Sequence, residues 1–259
     1  MTRIAYIMTA LMFMTPAYAA PPLLKGRIEH ADRLPPVEQT FRAGATLDLP
    51  ALQRIEPDNF WHRIPNWAGG TWHTETNEVY FYYDYRTKDK IYPDKTIKAR
   101  GDETIGWQKD ALDNTWEFVY HDYVTVSECN KYWSVHFVKS AELESGDDDS
   151  YTMHYMGINA HVAMSDRRII STSQNESIQT YTLQQPGIFK CTGSIKTFDS
   201  EGNPISLQKN LVFKTRVSPY APFNSYRGKD MRKLFAEYLL NHDKAYLLPF
   251  SKQRPIAVH

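Results

Sequence analysis

Through much of its length the chain alternates between apolar and polar positions. Val79, Phe81, Tyr83 and Tyr85 fall on one face of an extended segment, with Glu78, Tyr80, Tyr82 and Asp84 on the other. The same period of two recurs in Trp116, Phe118 and Tyr120 against Glu117, Val119 and His121. Trp133, Val135 and Phe137 alternate with Ser134 and His136, and Tyr151, Met153 and Tyr155 with Thr152 and His154. It returns over Phe189 to Thr197 and Leu211 to Val217, which are joined by the turn sequence Asp199-Ser200-Glu201-Gly202-Asn203-Pro204. Further strands are expected near Thr96–Lys109, Arg168–Thr172 and Ser177–Thr182, for a total of about eight or nine. Short connections without helical spacers predict an antiparallel meander, and a meander of this size removes its unpaired edges by closing on itself. One helix is predicted after the last strand. Met231, Leu234, Phe235, Tyr238 and Leu239 give it a single apolar stripe, which places it against the outside of the β structure.

The beginning of the chain has a different texture. Arg3, the apolar run Ile4 to Met14 and the end Ala17-Tyr18-Ala19 have the three parts of a secretory signal peptide, residues 1–19. Residues 20–59 carry Pro21, Pro22, Pro35, Pro36, Pro50 and Pro57 with little periodicity, apart from a possible short helix at Leu49 to Ile55. They read as an extended arm, either packed on the domain or reserved for a partner. Residues 60–259 then form the β domain with its helix and tail. No later run approaches the roughly 20 apolar residues of a spanning helix, so the mature chain is expected to lack a transmembrane segment. The expected destination is the periplasm.

Composition narrows the classes further. Hydrophobic residues are 42% of the 259 and aromatic residues 14%, enough for a buried core and too many for a disordered chain. Lys+Arg and Asp+Glu both number 30, so the basic excess of a nucleic-acid binder is missing. In an oxidising compartment the two cysteines, Cys129 and Cys191, are expected to form one structural disulfide.

Catalytic patterns are absent. The sequence has no Gly-x-Ser-x-Gly elbow, His-Glu-x-x-His pair, Walker loop or dinucleotide fingerprint. Asp147-Asp148-Asp149 lacks the alternating ligands of an EF-hand and reads as a solvated hairpin tip. His121, His136 and His154 fall on neighbouring strands and would suit a metal or a haem iron if they converged, but alternation puts each opposite its aromatic row. No metal or other cofactor is expected, and a non-enzymatic role is favoured.

The segment Phe60-Trp61-His62-Arg63-Ile64-Pro65-Asn66-Trp67-Ala68-Gly69 leads into Gly70-Thr71-Trp72. A Gly-x-Trp that opens a β meander, followed by a late helix, resembles the entrance signature of lipocalins and the wider calycin superfamily. The resemblance implies an up-and-down barrel whose lumen holds a small apolar molecule. Gly70 would turn the chain into the barrel and Trp72 would plug its closed end. The basic residue that supports this tryptophan from a late strand would be Lys214 or Arg216. The fold expected is therefore mainly β, a calycin-like antiparallel barrel with an N-terminal arm and one C-terminal helix. Its ligand-facing residues would be Trp72, Phe81, Tyr83, Tyr85, Trp116, Phe118, Tyr120, Trp133, Phe137, Tyr151 and Tyr155, unless these simply fill the lumen. The first functional expectation is an exported carrier of a small hydrophobic or aromatic ligand. A non-catalytic subunit of an envelope assembly, docked through the arm, stands close behind it. A calycin-type enzyme acting on a lipid or aromatic compound comes third.

Overall fold

A computed structural model describes residues 29–48, 59–93, 95–120 and 123–249. The expected signal peptide, the short helix at Leu49 to Ile55 and the end of the tail lie outside these residues. The strands are β1 (Asn59–Ile64), β2 (Gly70–Asp84), β3 (Lys90–Ile91), β4 (Lys95–Ile105), β5 (Gln108–Lys109), β6 (Thr115–Tyr120) and β7 (Tyr123–Cys129). They continue as β8 (Tyr132–Gly146), β9 (Ser150–Ala163), β10 (Ile169–Gln185), β11 (Ile188–Phe198), β12 (Pro204–Pro219), β13 (Ser225–Tyr226) and β14 (Lys229–Asp230). The helix α1 covers Met231–Asn241. Asp230 caps it, its carboxylate accepting from the N–H groups of Arg232 (3.0 Å) and Lys233 (3.1 Å).

The large sheet is an antiparallel meander, with β7 to β12 pairing in sequence order and β12 returning to β2. On its other side β2 pairs with β3 and β4. This is the cyclic order of an up-and-down barrel, but the ladder is open, because no pairing joins β4 to β7 among the described residues. The closed barrel expected from sequence is corrected here. Between β4 and β7 the chain makes β5 and β6, and β6 pairs with both β5 and β1 as the middle of a separate three-stranded sheet. The two segments expected at residues 168–172 and 177–182 are one strand, β10.

A bulge divides the large sheet between two cores. The β9–β10 register runs unbroken from Ser150/Thr182 to His161/Ser171, so Tyr151, Met153 and Tyr155 face one side and Ile158, Ala160 and Val162 the other. In β8 the register slips between Val138 and Ser140, which moves Ala141 and Leu143 to the face opposite Val135 and Phe137. The inner face carries Trp72, Tyr151, Met153, Tyr181, Phe189, Cys191 and Val212, which pack against Ile64 and Ala68. The outer face carries Val135, Phe137, Ile158, Ala160 and Val162, covered by Val37, Phe41 and Leu47 of the arm.

The described part of the arm is thus an integral layer. Leu34 N–H donates to Gly202 O (3.0 Å), Val37 N–H to Ser200 O (2.9 Å) and Gly44 N–H to Ile169 O (2.8 Å). Gly202 sits at φ +82 so close to the arm that a Cβ would lie 1.8 Å from Leu34 O. Further along, Glu176 receives Ala31 N–H (2.8 Å) and lies 3.0 Å from both His30 Nδ1 and His154 Nε2. Burial alone would raise the Glu176 carboxyl, but the hydrogen bonds from His30 and Ala31 outweigh it and hold it below the ordinary value.

The small sheet is buried on both faces. Trp61, Trp116 and Phe118 pack with Met231, Phe235 and Leu239 of α1, while Ile64 and Val119 pack against the inner face of the large sheet. The helix lies where its single stripe predicted.

The expected disulfide is also corrected. Cys129 and Cys191 are free thiols. They lie on β7 and β11, with β8, β9 and β10 between them. Four ladder steps of roughly 4.8 Å each exceed the roughly 7 Å that a disulfide spans between Cα atoms.

Candidate ligand-binding site

The entrance to β2 is held by Trp72 and Arg216. A 3-10 turn at Asn66–Ala68 precedes the strand, and Trp72 Nε1–H donates back to Ala68 O at 2.7 Å. Trp72 is fully buried, with its ring 4.4 Å from that of Phe189 and 4.6 Å from the Arg216 guanidinium. Arg216 also donates to Trp67 O. Gly70 cannot be replaced by a larger residue, since a Cβ there would approach Ser218 O to 2.7 Å.

A cavity of about 140 Å³ lies between the small sheet and the inner face of the large one. His62, Glu117 and Val119 form the small-sheet wall, Tyr151, Met153, Tyr155 and Tyr181 the opposite wall, and Glu103, Thr104 and Ile105 of β4 the third side. Tyr151 and Tyr181 stack, with centroids 4.6 Å apart and planes 6° from parallel. Tyr181 Oη–H donates to Gln179 Oε1 (2.7 Å). His62 and Glu117 are directly opposed in the β1–β6 ladder. The Glu117 carboxyl accepts from Gly106 N–H and from Trp107 Nε1–H (3.2 Å). Glu103 is paired with Lys214.

Burial sets the electrostatics. It pushes the Glu117 carboxyl up to about 8, against the pull of the Gly106 and Trp107 hydrogen bonds, and pushes His62 down to about 4. Both groups are therefore uncharged at pH 7. Burial also raises Tyr151, Tyr155 and Tyr181. A distinct pH dependence follows. Stability from Glu117 is complete below its ordinary value of 4.5 and is lost as pH climbs to about 8, because the unfolded chain ionises first. His62 acts oppositely: the unfolded chain takes up a proton below 6.5 and the native state does not until about 4, so stability falls as pH drops through that window. Between 4.5 and 6.5 the two slopes oppose each other, and from 6.5 to 8 only Glu117 acts. Chemical denaturation is expected to show stability falling over pH 6.5–8 by at most about 1.4 kcal/mol per unit, and Glu117→Gln to flatten that slope. An unchanged slope in the variant would assign the effect elsewhere.

Of the residues expected to line a lumen, Tyr151 and Tyr155 do line this cavity, with Trp72 in the same core. Others do not meet them. Trp133 and Phe137 face the arm, while Trp116 and Phe118 face α1. Phe81 and Tyr85 lie on the outer face under Lys209 and Lys196, with Tyr83 beside Tyr85. The side chain of Tyr120 and all of His121 lie outside the described residues. His136 borders Gly157 and Asn175, whereas His154 bridges Glu144 and Glu176 on the outer face. These two histidines do not converge, and no metal-binding cluster occurs among the described residues.

Sequence reasoning missed His62, Glu103, Glu117 and Tyr181. Their signal was present, since Glu117 stands alone in the run Trp116-Glu117-Phe118-Val119 and His62 beside Trp61. A single ionisable group in an apolar run has to be enclosed once the sheet is covered on both faces. A second cleft, of about 240 Å³, opens beside α1 and is lined by Lys109, Tyr220, Arg232 and Phe235. No protein-family model, curated protein or solved structure matches the chain.

Proposed function

We propose that the chain is an exported, non-enzymatic binding protein that holds a small ring-sized molecule bearing a polar group between its two sheets. The observation that carries this reading is the cavity itself. It combines phenol rings and a thioether with a directly opposed imidazole and carboxyl group, the mixture of apolar wall and few polar anchors that ligand sites use. Its volume of about 140 Å³ is close to the roughly 150 Å³ of a cavity that holds benzene. The calycin resemblance supports the same reading. It implies a basic residue from a late strand behind the entrance tryptophan, and the Arg216 guanidinium lying 4.6 Å from the Trp72 ring supports that. The run Ile4 to Ala19 motivates export to the periplasm.

Native mass spectrometry of the protein purified gently from its producing cells tests the reading. A small-molecule adduct lost on denaturation is expected, and Val119→Phe, which fills the cavity from the small-sheet side, is expected to abolish it while the protein still melts cooperatively. A bare chain, or an adduct that survives Val119→Phe, would overturn the assignment.

A further inference from the structure

We propose that the cavity between β1, β6, β9 and β10 selects a small organic ammonium, a ring-sized apolar group carrying one positively charged nitrogen. This rests on the binding-site reading above and names the ligand's chemical class. Two carboxyl groups and three phenols line the cavity, and no lysine or arginine is among its lining residues. At Glu103 the charge is already balanced, because Lys214 pairs with it. Glu117 has no such match: among the described residues it forms no ion pair, and its oxygens accept from two neutral N–H donors. An enclosed carboxyl group held only by neutral donors gains most from a ligand that brings a cation into the same space. Phenol oxygens accept from ammonium N–H groups, and phenol faces attract cations. An anion would find no cation here beyond the Lys214 already paired with Glu103, and a neutral molecule would leave Glu117 in its protonated form.

The arrangement couples binding to a proton. Without a cation, burial keeps Glu117 protonated up to about pH 8; with one beside it, the carboxylate is the favoured form. The other groups around it are His62 on β1, the Glu103–Lys214 pair on β4 and β12, Tyr151 and Tyr155 on β9, Tyr181 on β10 and Cys191 on β11. Burial lowers His62 to about 4 and raises the tyrosines and Cys191, so none of these five changes charge between pH 6 and 8.

Titration calorimetry of the full chain with benzylamine, benzyl alcohol and benzoate, in two buffers of different ionisation enthalpy, decides the matter. Benzylamine is expected to bind at least about tenfold tighter than benzyl alcohol, with close to one proton released at pH 7 and tighter binding at pH 8 than at pH 6. Benzoate is expected not to bind. Glu117→Gln should erase the preference for the amine and leave benzyl alcohol binding in place; if that variant does not fold, proton release by the unsubstituted protein still decides. Benzyl alcohol or benzoate binding as tightly as benzylamine, or amine binding without proton release, would overturn the ammonium and leave a small-ligand site standing. Silence from all three probes, together with no adduct in native mass spectrometry, would overturn both.

Discussion

Removing everything before residue 49 is expected to unfold the protein rather than free it from a partner. Leu34, Val37, Phe41 and Leu47 are each more than nine-tenths buried, three of them inside the outer core with Phe137, Ile158 and Val162. At about 2 kcal/mol per buried side chain, the four contribute roughly 8 kcal/mol, comparable to the whole stability of many domains. The truncation also strips His30 and Ala31 from Glu176, leaving a partly enclosed carboxylate with fewer donors. Thermal melts followed by circular dichroism should show loss of the cooperative transition. Phe41→Ala alone should cost about 3 kcal/mol. A truncated protein that melts within a few degrees of the full chain would show that the arm is dispensable, and would favour its use as a docking element.

The second large effect is expected at Trp72. Replacing it by Ala removes the largest side chain at the entrance, its hydrogen bond to Ala68 O and its contact with Phe189. A loss of about 3–5 kcal/mol is expected in urea denaturation. Trp72→Phe keeps a ring but leaves Ala68 O without its donor, for about 1–2 kcal/mol. The sharper test is the cycle with Arg216→Met. The guanidinium lies over the Trp72 ring and donates to the turn that the same tryptophan anchors, so the double variant should lose less than the sum of the singles. Strict additivity would mean that the two residues do not form one unit.

Sequence periodicity located the elements well. The rows at Trp116, Trp133, Tyr151, Phe189 and Leu211 all fall in strands, and the stripe from Met231 to Leu239 is the helix. What it did not locate was the face that each row presents. In β8 one extra residue near Lys139 reverses the pleat, so Phe137 and Leu143 point to opposite cores although both are odd-numbered. In β2 a slip between Val79 and Phe81 does the same, sending Phe81 outward while Val79 is buried. Nothing in the local composition announces either bulge, because bulges answer to the partner strand. The small sheet misled differently. Alternation sets Trp116 and Phe118 opposite Glu117, and the aromatic row is therefore the one expected to face the lumen. In the folded chain α1 covers the aromatics and the large sheet covers the carboxyl group. Alternation distinguishes two faces; it cannot say that both are dry. The prolines make the arm legible as an extended segment, but not which of its residues are buried, because Leu34, Val37, Phe41 and Leu47 follow no helical or strand period, their spacing being set by an irregular path across the outer face.

The return of β12 to β2 has a consequence for how the chain reaches this state. From β7 to β12 each strand pairs with the one just made, so those hairpins can zip locally and quickly. β2 has no such neighbour on that side: Gly70 pairs with Pro219 and Asp84 with Ser206, and closing so long a loop is entropically slow. During synthesis from the N-terminus, this edge of β2, with its run Val79-Tyr80-Phe81-Tyr82-Tyr83, must wait for β12 to arrive. Although β3 and β4 can pair with the opposite edge of β2 at once, that interval leaves one edge of a long aromatic strand open, the kind of species that self-associates. Substitutions that slow β12 should therefore reduce the yield of native protein before they alter its stability once folded.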